Sequence, residues 1–122
     1  MHLTQANVFF VEDDEILAKV IEWRLNKLGY TICGSAASGV EAIALIKEKE
    51  PDIVLLDIEL KGHMDGIEVG DFLSSKTKIP FIYLTSHTED DIVKRAKITK
   101  PKGYIKKPFS DDDLRVAIEL AL

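Results

Sequence analysis

The sequence predicts an α/β domain built on a parallel sheet with helices on both faces. Three observations carry that expectation. Short apolar runs alternate five times with stretches of helical periodicity, the pattern of repeated strand, crossover and strand units. The run Ile53-Val54-Leu55-Leu56 has no polar alternation, as in a strand buried on both faces. The 122 residues, 46% of them hydrophobic, suffice for one core and leave no room for a second, so residues 1–122 are read as one domain.

Asn7 to Val11, β-branched and aromatic, reads as the first strand. Glu12-Asp13-Asp14-Glu15 then opens a helix over Ile16 to Leu28, with Asp14 as N-cap and Gly29 as the stop. Leu17, Val20, Ile21, Leu25 and Leu28 recur there at spacings of three and four, which marks the buried stripe. Tyr30 to Ala37 is the expected second strand. Ser38-Gly39 begins a helix whose buried face is read as Val40, Ile43 and Ile46, and Pro51 forbids its continuation.

Ile53 to Leu56 is the third strand and runs directly into Asp57. The charged, glycine-bearing stretch Glu59 to Gly66 precedes a short helix with Ile67, Phe72 and Leu73 inward. Pro80 to Leu84 is the fourth strand, its proline at a first-residue position where no ladder donor is lost. A helix from about Glu89 carries a thin apolar face of Ile92, Val93 and Ala96. Gly103 to Lys107 is the fifth strand, and Pro108-Phe109-Ser110 turns into a last helix with Leu114, Ala117, Ile118 and Ala121 inward and Ser110, or one of Asp111 to Asp113, as its cap.

The net charge of -5 argues against a nucleic-acid footprint for this domain. No stretch reaches the roughly 18 apolar residues of a membrane span, and the N-terminal residues lack the basic and apolar regions of a signal peptide, so a cytoplasmic setting is expected. The single cysteine, Cys33, lies in an apolar segment and is read as a buried, inert thiol in a reducing compartment.

All strands of a parallel sheet end on one edge, where ligands of open α/β sheets bind. That edge gathers Glu12, Asp13, Asp57, Thr85 and Lys107. Carboxylates about 4 Å apart at an effective dielectric near 20 repel by about 4 kcal/mol per pair, so a positive charge has to compensate. Lys107 is one candidate and Mg²⁺ the other, because the donors are all oxygen; His2, His63 and His87 are too scattered for zinc. A carboxylate nucleophile with a hard cation and a lysine suits phosphoryl transfer to Asp57, with Thr85 and Lys107 bonding to the transferred group.

The segments Val11-Glu12-Asp13-Asp14, Leu55-Leu56-Asp57, Met64-Asp65-Gly66, Leu84-Thr85-Ser86 and Gly103-Tyr104-Ile105-Lys106-Lys107-Pro108-Phe109 together resemble the receiver domain of two-component response regulators, over the whole chain. The resemblance implies a flavodoxin-like sheet in the order 2-1-3-4-5. It implies Mg²⁺ held by Glu12, Asp13, Asp57 and the backbone carbonyl of Glu59, and phosphorylation of Asp57 by a sensor histidine kinase. It also implies a cis Lys107-Pro108 bond and a switch in which Thr85 moves and the Tyr104 ring follows. The surface of the last two helices and the fifth strand would then recruit an output domain or protein, or a second copy. In the resemblance the domain is no enzyme beyond its own phosphorylation and dephosphorylation.

Three departures stand out. The stretch between Asp57 and Asp65-Gly66 is one residue longer than usual and lacks proline. Glu59 and His87 occupy positions that by analogy tune phosphoryl lifetime. Thr99-Lys100-Pro101-Lys102 is a basic approach to the fifth strand that reads as a solvated loop, or as a contact for an acidic partner. Two other readings compete: a small Mg²⁺-dependent phosphatase using the same aspartate, and a flavin-binding domain, which the acids after the first strand disfavour by repelling a cofactor phosphate. A receiver cut from a larger regulator or hybrid kinase, or one that only docks, shares the same fold.

Overall fold

A computed structural model describes residues 6–86 and 89–122; His2, His87 and Thr88 lie outside them. The elements run β1 (Asn7–Val11), α1 (Glu15–Lys27), β2 (Thr31–Ala36), α2 (Gly39–Lys49), β3 (Ile53–Asp57), α3 (Gly66–Lys76), β4 (Phe81–Thr85), α4 (Asp90–Ile98), β5 (Gly103–Lys106) and α5 (Asp111–Ala121). The five strands are parallel in the order β2-β1-β3-β4-β5. Expected and observed strand ends differ by a residue at several places, most relevantly at β5, where Lys107 falls just past the strand.

Alternation along each inner strand feeds two apolar layers. Phe9, Val11, Val54, Leu56, Phe81 and Tyr83 point to the side of α2, α3 and α4. Val8, Phe10, Ile53, Leu55, Ile82 and Leu84 point to the side of α1 and α5, where they meet Ile21, Leu25, Leu114 and Ile118. Both faces of β3 are therefore sealed, which is why its sequence is a continuous apolar run.

The caps follow their chemistry. Asp14 accepts from the backbone N–H groups of Ile16 and Leu17. Asp65 with Glu68, and Ser110 with Asp113, form reciprocal capping boxes that satisfy orphan donors at the starts of α3 and α5.

Two sequence expectations need correction. Val40 is 67% exposed, and the buried face of α2 is Gly39, Ala42 and Ile46, with Ile43 partly covered. Small residues are needed there because the α3 approach runs close: a Cβ on Gly39 would sit 2.8 Å from Met64 Cγ. Cys33 is only half-buried, because β2 is an edge strand; its thiol lies 3.6 Å from the Val8 carbonyl oxygen, and burial pushes its pKa up, which keeps it protonated. On α4, Val93 is exposed and Ala96 is the one buried residue of the helix, in keeping with the thin apolar face. No helix among the described residues is long and apolar enough to cross a membrane.

Candidate functional site

The register brings the strand ends together. Val11 pairs with Leu56, Asp57 with Leu84, and Thr85 with Lys106. Glu12 follows β1 and is held by its backbone N–H, which donates to the Ala36 carbonyl at 3.0 Å. Its carboxylate is buried, 4% exposed, and accepts from the Asp14 N–H at 3.1 Å. Asp57 is 2% exposed at the end of β3.

Lys107 reaches across from the end of β5. Its Nζ lies 3.2 Å from Asp57 Oδ1 and 3.2 Å from Glu12 Oε1, so one ammonium bridges both buried acids. The Lys107-Pro108 peptide bond is cis, as the resemblance implies. Burial works against the charge on Lys107, yet the two carboxylates outweigh it and raise its pKa. Asp57 moves the other way from an ordinary carboxylate: burial first, then its hydrogen bond and charge repulsion with Glu12, push its pKa up to about 8. Lys107 and the Glu59 backbone N–H, 3.1 Å from Asp57 Oδ1, pull against that rise.

One lysine thus leaves the acidic pocket short of positive charge. Glu12, Asp13 and Asp57 each offer a carboxylate oxygen, and these lie within 4.8 Å of one another. An all-oxygen set of three carboxylates, two of them buried, fits a hard divalent cation that keeps several waters, and such an ion would do for Asp57 what a proton otherwise does.

The loop after β3 is shaped by the pocket. Its longer spacing is taken up by a compact turn: the Ile58 carbonyl accepts from the N–H groups of both Leu60 and Gly66, and Ile58 and Leu60 are buried. Lys61 N–H donates to Asp13 Oδ2 at 2.9 Å, which ties the loop to the acid after β1. Gly62 turns the chain with φ of 99°, a conformation that favours glycine. Gly66 passes so close beneath Asp57 that a Cβ there would lie 1.9 Å from the Asp57 carbonyl oxygen.

Thr85 is fully buried at the end of β4, and its hydroxyl donates to Glu59 Oε1 at 2.5 Å. The Ser86 hydroxyl lies 3.4 Å from Glu59 Oε2. Tyr104 packs partly against the apolar layer beside α4 and also meets Thr85; burial raises its phenol pKa. The structure therefore gathers Glu12, Asp13, Asp57, Glu59, Thr85, Tyr104 and Lys107 at one sheet edge. Sequence reasoning assigned Glu59 a backbone role and a tuning position only; its side-chain contacts with Thr85 and Ser86, and the roles of Lys61 and Gly66, depend on the path of the loop.

The family model for the response regulator receiver domain matches residues 8–119. The chain belongs to that family. It is 36% identical over 115 residues to the transcriptional regulatory protein PdtaR of Mycobacterium tuberculosis, an alignment covering 94% of this chain and 56% of that protein. The chain thus spans little more than half the length of that relative. Among solved structures, the signal receiver domain of a modulated diguanylate cyclase from Desulfovibrio desulfuricans superposes with a TM-score of 0.91 at 36% identity, over 96% of this chain and 93% of that one. A chain of the CheX–CheY–BeF3–Mg²⁺ complex from Borrelia burgdorferi matches with a TM-score of 0.84 at 27% identity, covering 93% and 86% respectively.

Proposed function

We propose that this receiver domain accepts a phosphoryl group on Asp57 from a phosphohistidine of a sensor kinase, in a Mg²⁺-dependent reaction, and signals through a changed partner-binding surface. The observation that carries the reading is the buried Asp57 carboxylate bridged by Lys107 to Glu12, with Asp13 completing a divalent-cation donor set. Glu12, Asp13, Asp57 and the Glu59 carbonyl would hold Mg²⁺, which supplies charge neutralisation for the incoming phosphoryl oxygens. In the transfer, an Asp57 Oδ attacks phosphorus, the P–N bond to the donor imidazole breaks, and the bonding pair leaves with the imidazole nitrogen. Lys107 balances the charge that the acceptor side gains, and the Thr85 hydroxyl can donate to a phosphoryl oxygen once it turns towards Asp57.

The consequence is a two-state surface. Thr85 moving towards the phosphoryl group vacates space for the Tyr104 ring, and the face of α4, β5 and α5 changes for an output domain or protein, or for a second copy. We read the chain, residues 1–122, as one such cytoplasmic signalling module without direct nucleic-acid contact.

Incubation with acetyl phosphate and Mg²⁺ tests the acceptor. The protein should gain one phosphoryl group by intact mass, EDTA should prevent the gain, and Asp57→Asn should abolish it. Undiminished incorporation in Asp57→Asn would place the acceptor elsewhere.

A further inference from the structure

We propose that the Glu59 side chain is a latch on Thr85, holding its hydroxyl on the resting side of the site so that the chain pays for activation by breaking this bond. The inference rests on the reading of Asp57 as the acceptor. Glu59 follows the acceptor by two residues and is held rigidly. Its N–H donates to Asp57 Oδ1 at 3.1 Å, and its neighbours Ile58 and Leu60 are buried on either side. Its carboxylate spans to the end of β4, where Oε1 takes the Thr85 proton at 2.5 Å and Oε2 lies 3.4 Å from the Ser86 hydroxyl.

A threonine hydroxyl has one proton to donate. While that proton is committed to a carboxylate, a bond stronger than one between neutral groups, it is withheld from any oxygen on Asp57. Because the carboxylate only accepts, the contact cannot be rearranged to leave the Thr85 proton available. The latch also responds to phosphorylation. A phosphoryl group on Asp57 adds negative charge beside Glu59 and repels its carboxylate, which favours release of Thr85 at the moment its hydroxyl is wanted. Glu59 is thus a positioning residue acting through Thr85, and it sets how far the resting and activated states lie apart.

The test is a double-mutant cycle on binding of beryllofluoride, a phosphoryl analogue, with Mg²⁺, read by titration calorimetry on chains first shown to be folded by circular dichroism. Glu59→Ala should bind about tenfold more tightly than the native chain. Glu59→Gln keeps an acceptor oxygen and should gain less than Glu59→Ala. In a Thr85→Ala background, where no latch exists, Glu59→Ala should change affinity less than twofold. Equal gains in both backgrounds would show that Glu59 acts by charge repulsion alone and overturn the latch, as would no gain in the native background or equal gains for alanine and glutamine. A native chain that binds no beryllofluoride with Mg²⁺ would overturn the acceptor reading and the latch with it.

Discussion

Lys107 Nζ stands 3.2 Å from Asp57 Oδ1 and the same distance from Glu12 Oε1, so the lysine is the shared counter-charge of two buried carboxylates at the ends of different strands. Removing one member of a buried ion group leaves the others uncompensated, typically at a cost of about 3 kcal/mol or more. Lys107→Ala should therefore lower the urea stability of the metal-free protein by about 3 kcal/mol at pH 8.5 or so, above the Asp57 value of about 8. The loss should shrink near pH 5, where Asp57 is protonated and asks for less compensation. Equal losses at the two pH values would contradict this account.

The raised pKa of Asp57 makes a separate statement about the native protein. Its folded value, about 8, lies above the ordinary 3.8, so the native state holds the proton more tightly than the unfolded chain does. Stability from this group is fully present below the ordinary value and is lost as pH rises to about 8. In EDTA, thermal unfolding should thus fall between pH 5 and pH 8.5. Binding of Mg²⁺ to the ionised form, as proposed, should reverse the upper part of the fall, and Asp57→Asn should remove most of it. A native chain whose melting is flat across this range would sink the prediction.

The placement of the candidate residues at one sheet edge was legible because each lies at or just past the end of a strand. Ile53 to Leu56 could only be a doubly buried strand, which fixed Asp57 at the edge, and the same logic placed Glu12, Thr85 and Lys107. Helix faces were less legible where size mattered more than hydrophobicity. Val40 looks like a core residue, but Gly39 and Ala42 are the buried ones, and the close approach of Met64 selects for glycine at position 39. The apolar segment around Cys33 predicts burial, whereas an edge strand covers its side chains only partly. The Glu59 to Thr85 bond was beyond sequence reading altogether: it joins residues 26 apart through a loop whose path depends on Gly62, Gly66 and the Lys61 to Asp13 contact.

Gly66 offers a sharp test of how tightly that loop is built. A methyl group there would be driven into the backbone after β3, 1.9 Å from the Asp57 carbonyl oxygen and 2.7 Å from the Ile58 Cα, and backbone cannot swing aside as a side chain can. Gly66→Ala should destabilise by about 3 kcal/mol or more, in the range of severe overpacking. The same displacement should weaken binding at the proposed Mg²⁺ site, since Asp57 and Glu59 move with the loop. A urea midpoint within error of the native chain would show that the loop yields more easily than its contacts indicate.

The thin apolar face of α4 leaves polar contacts to anchor the helix. Tyr83 crosses from β4 beneath α3, and its hydroxyl lies 2.6 Å from Thr99 Oγ1 at the end of α4, where Thr99 also donates to the Ala96 carbonyl at 2.6 Å. Thr99's proton is taken by that carbonyl, so the phenol is the donor to Thr99, and burial pushes the Tyr83 pKa up to about 12, which keeps the phenol protonated. Tyr83→Phe preserves the ring and its edge-on contact with Phe81 while removing this single bond. It should cost about 1 kcal/mol in global stability. Hydrogen exchange should show the loss concentrated in α4, because Thr99 retains its bond to Ala96 while the helix loses its tie to the sheet. Acceleration spread evenly over all helices would mean that Tyr83 supports the core as a whole and does not fasten α4 in particular.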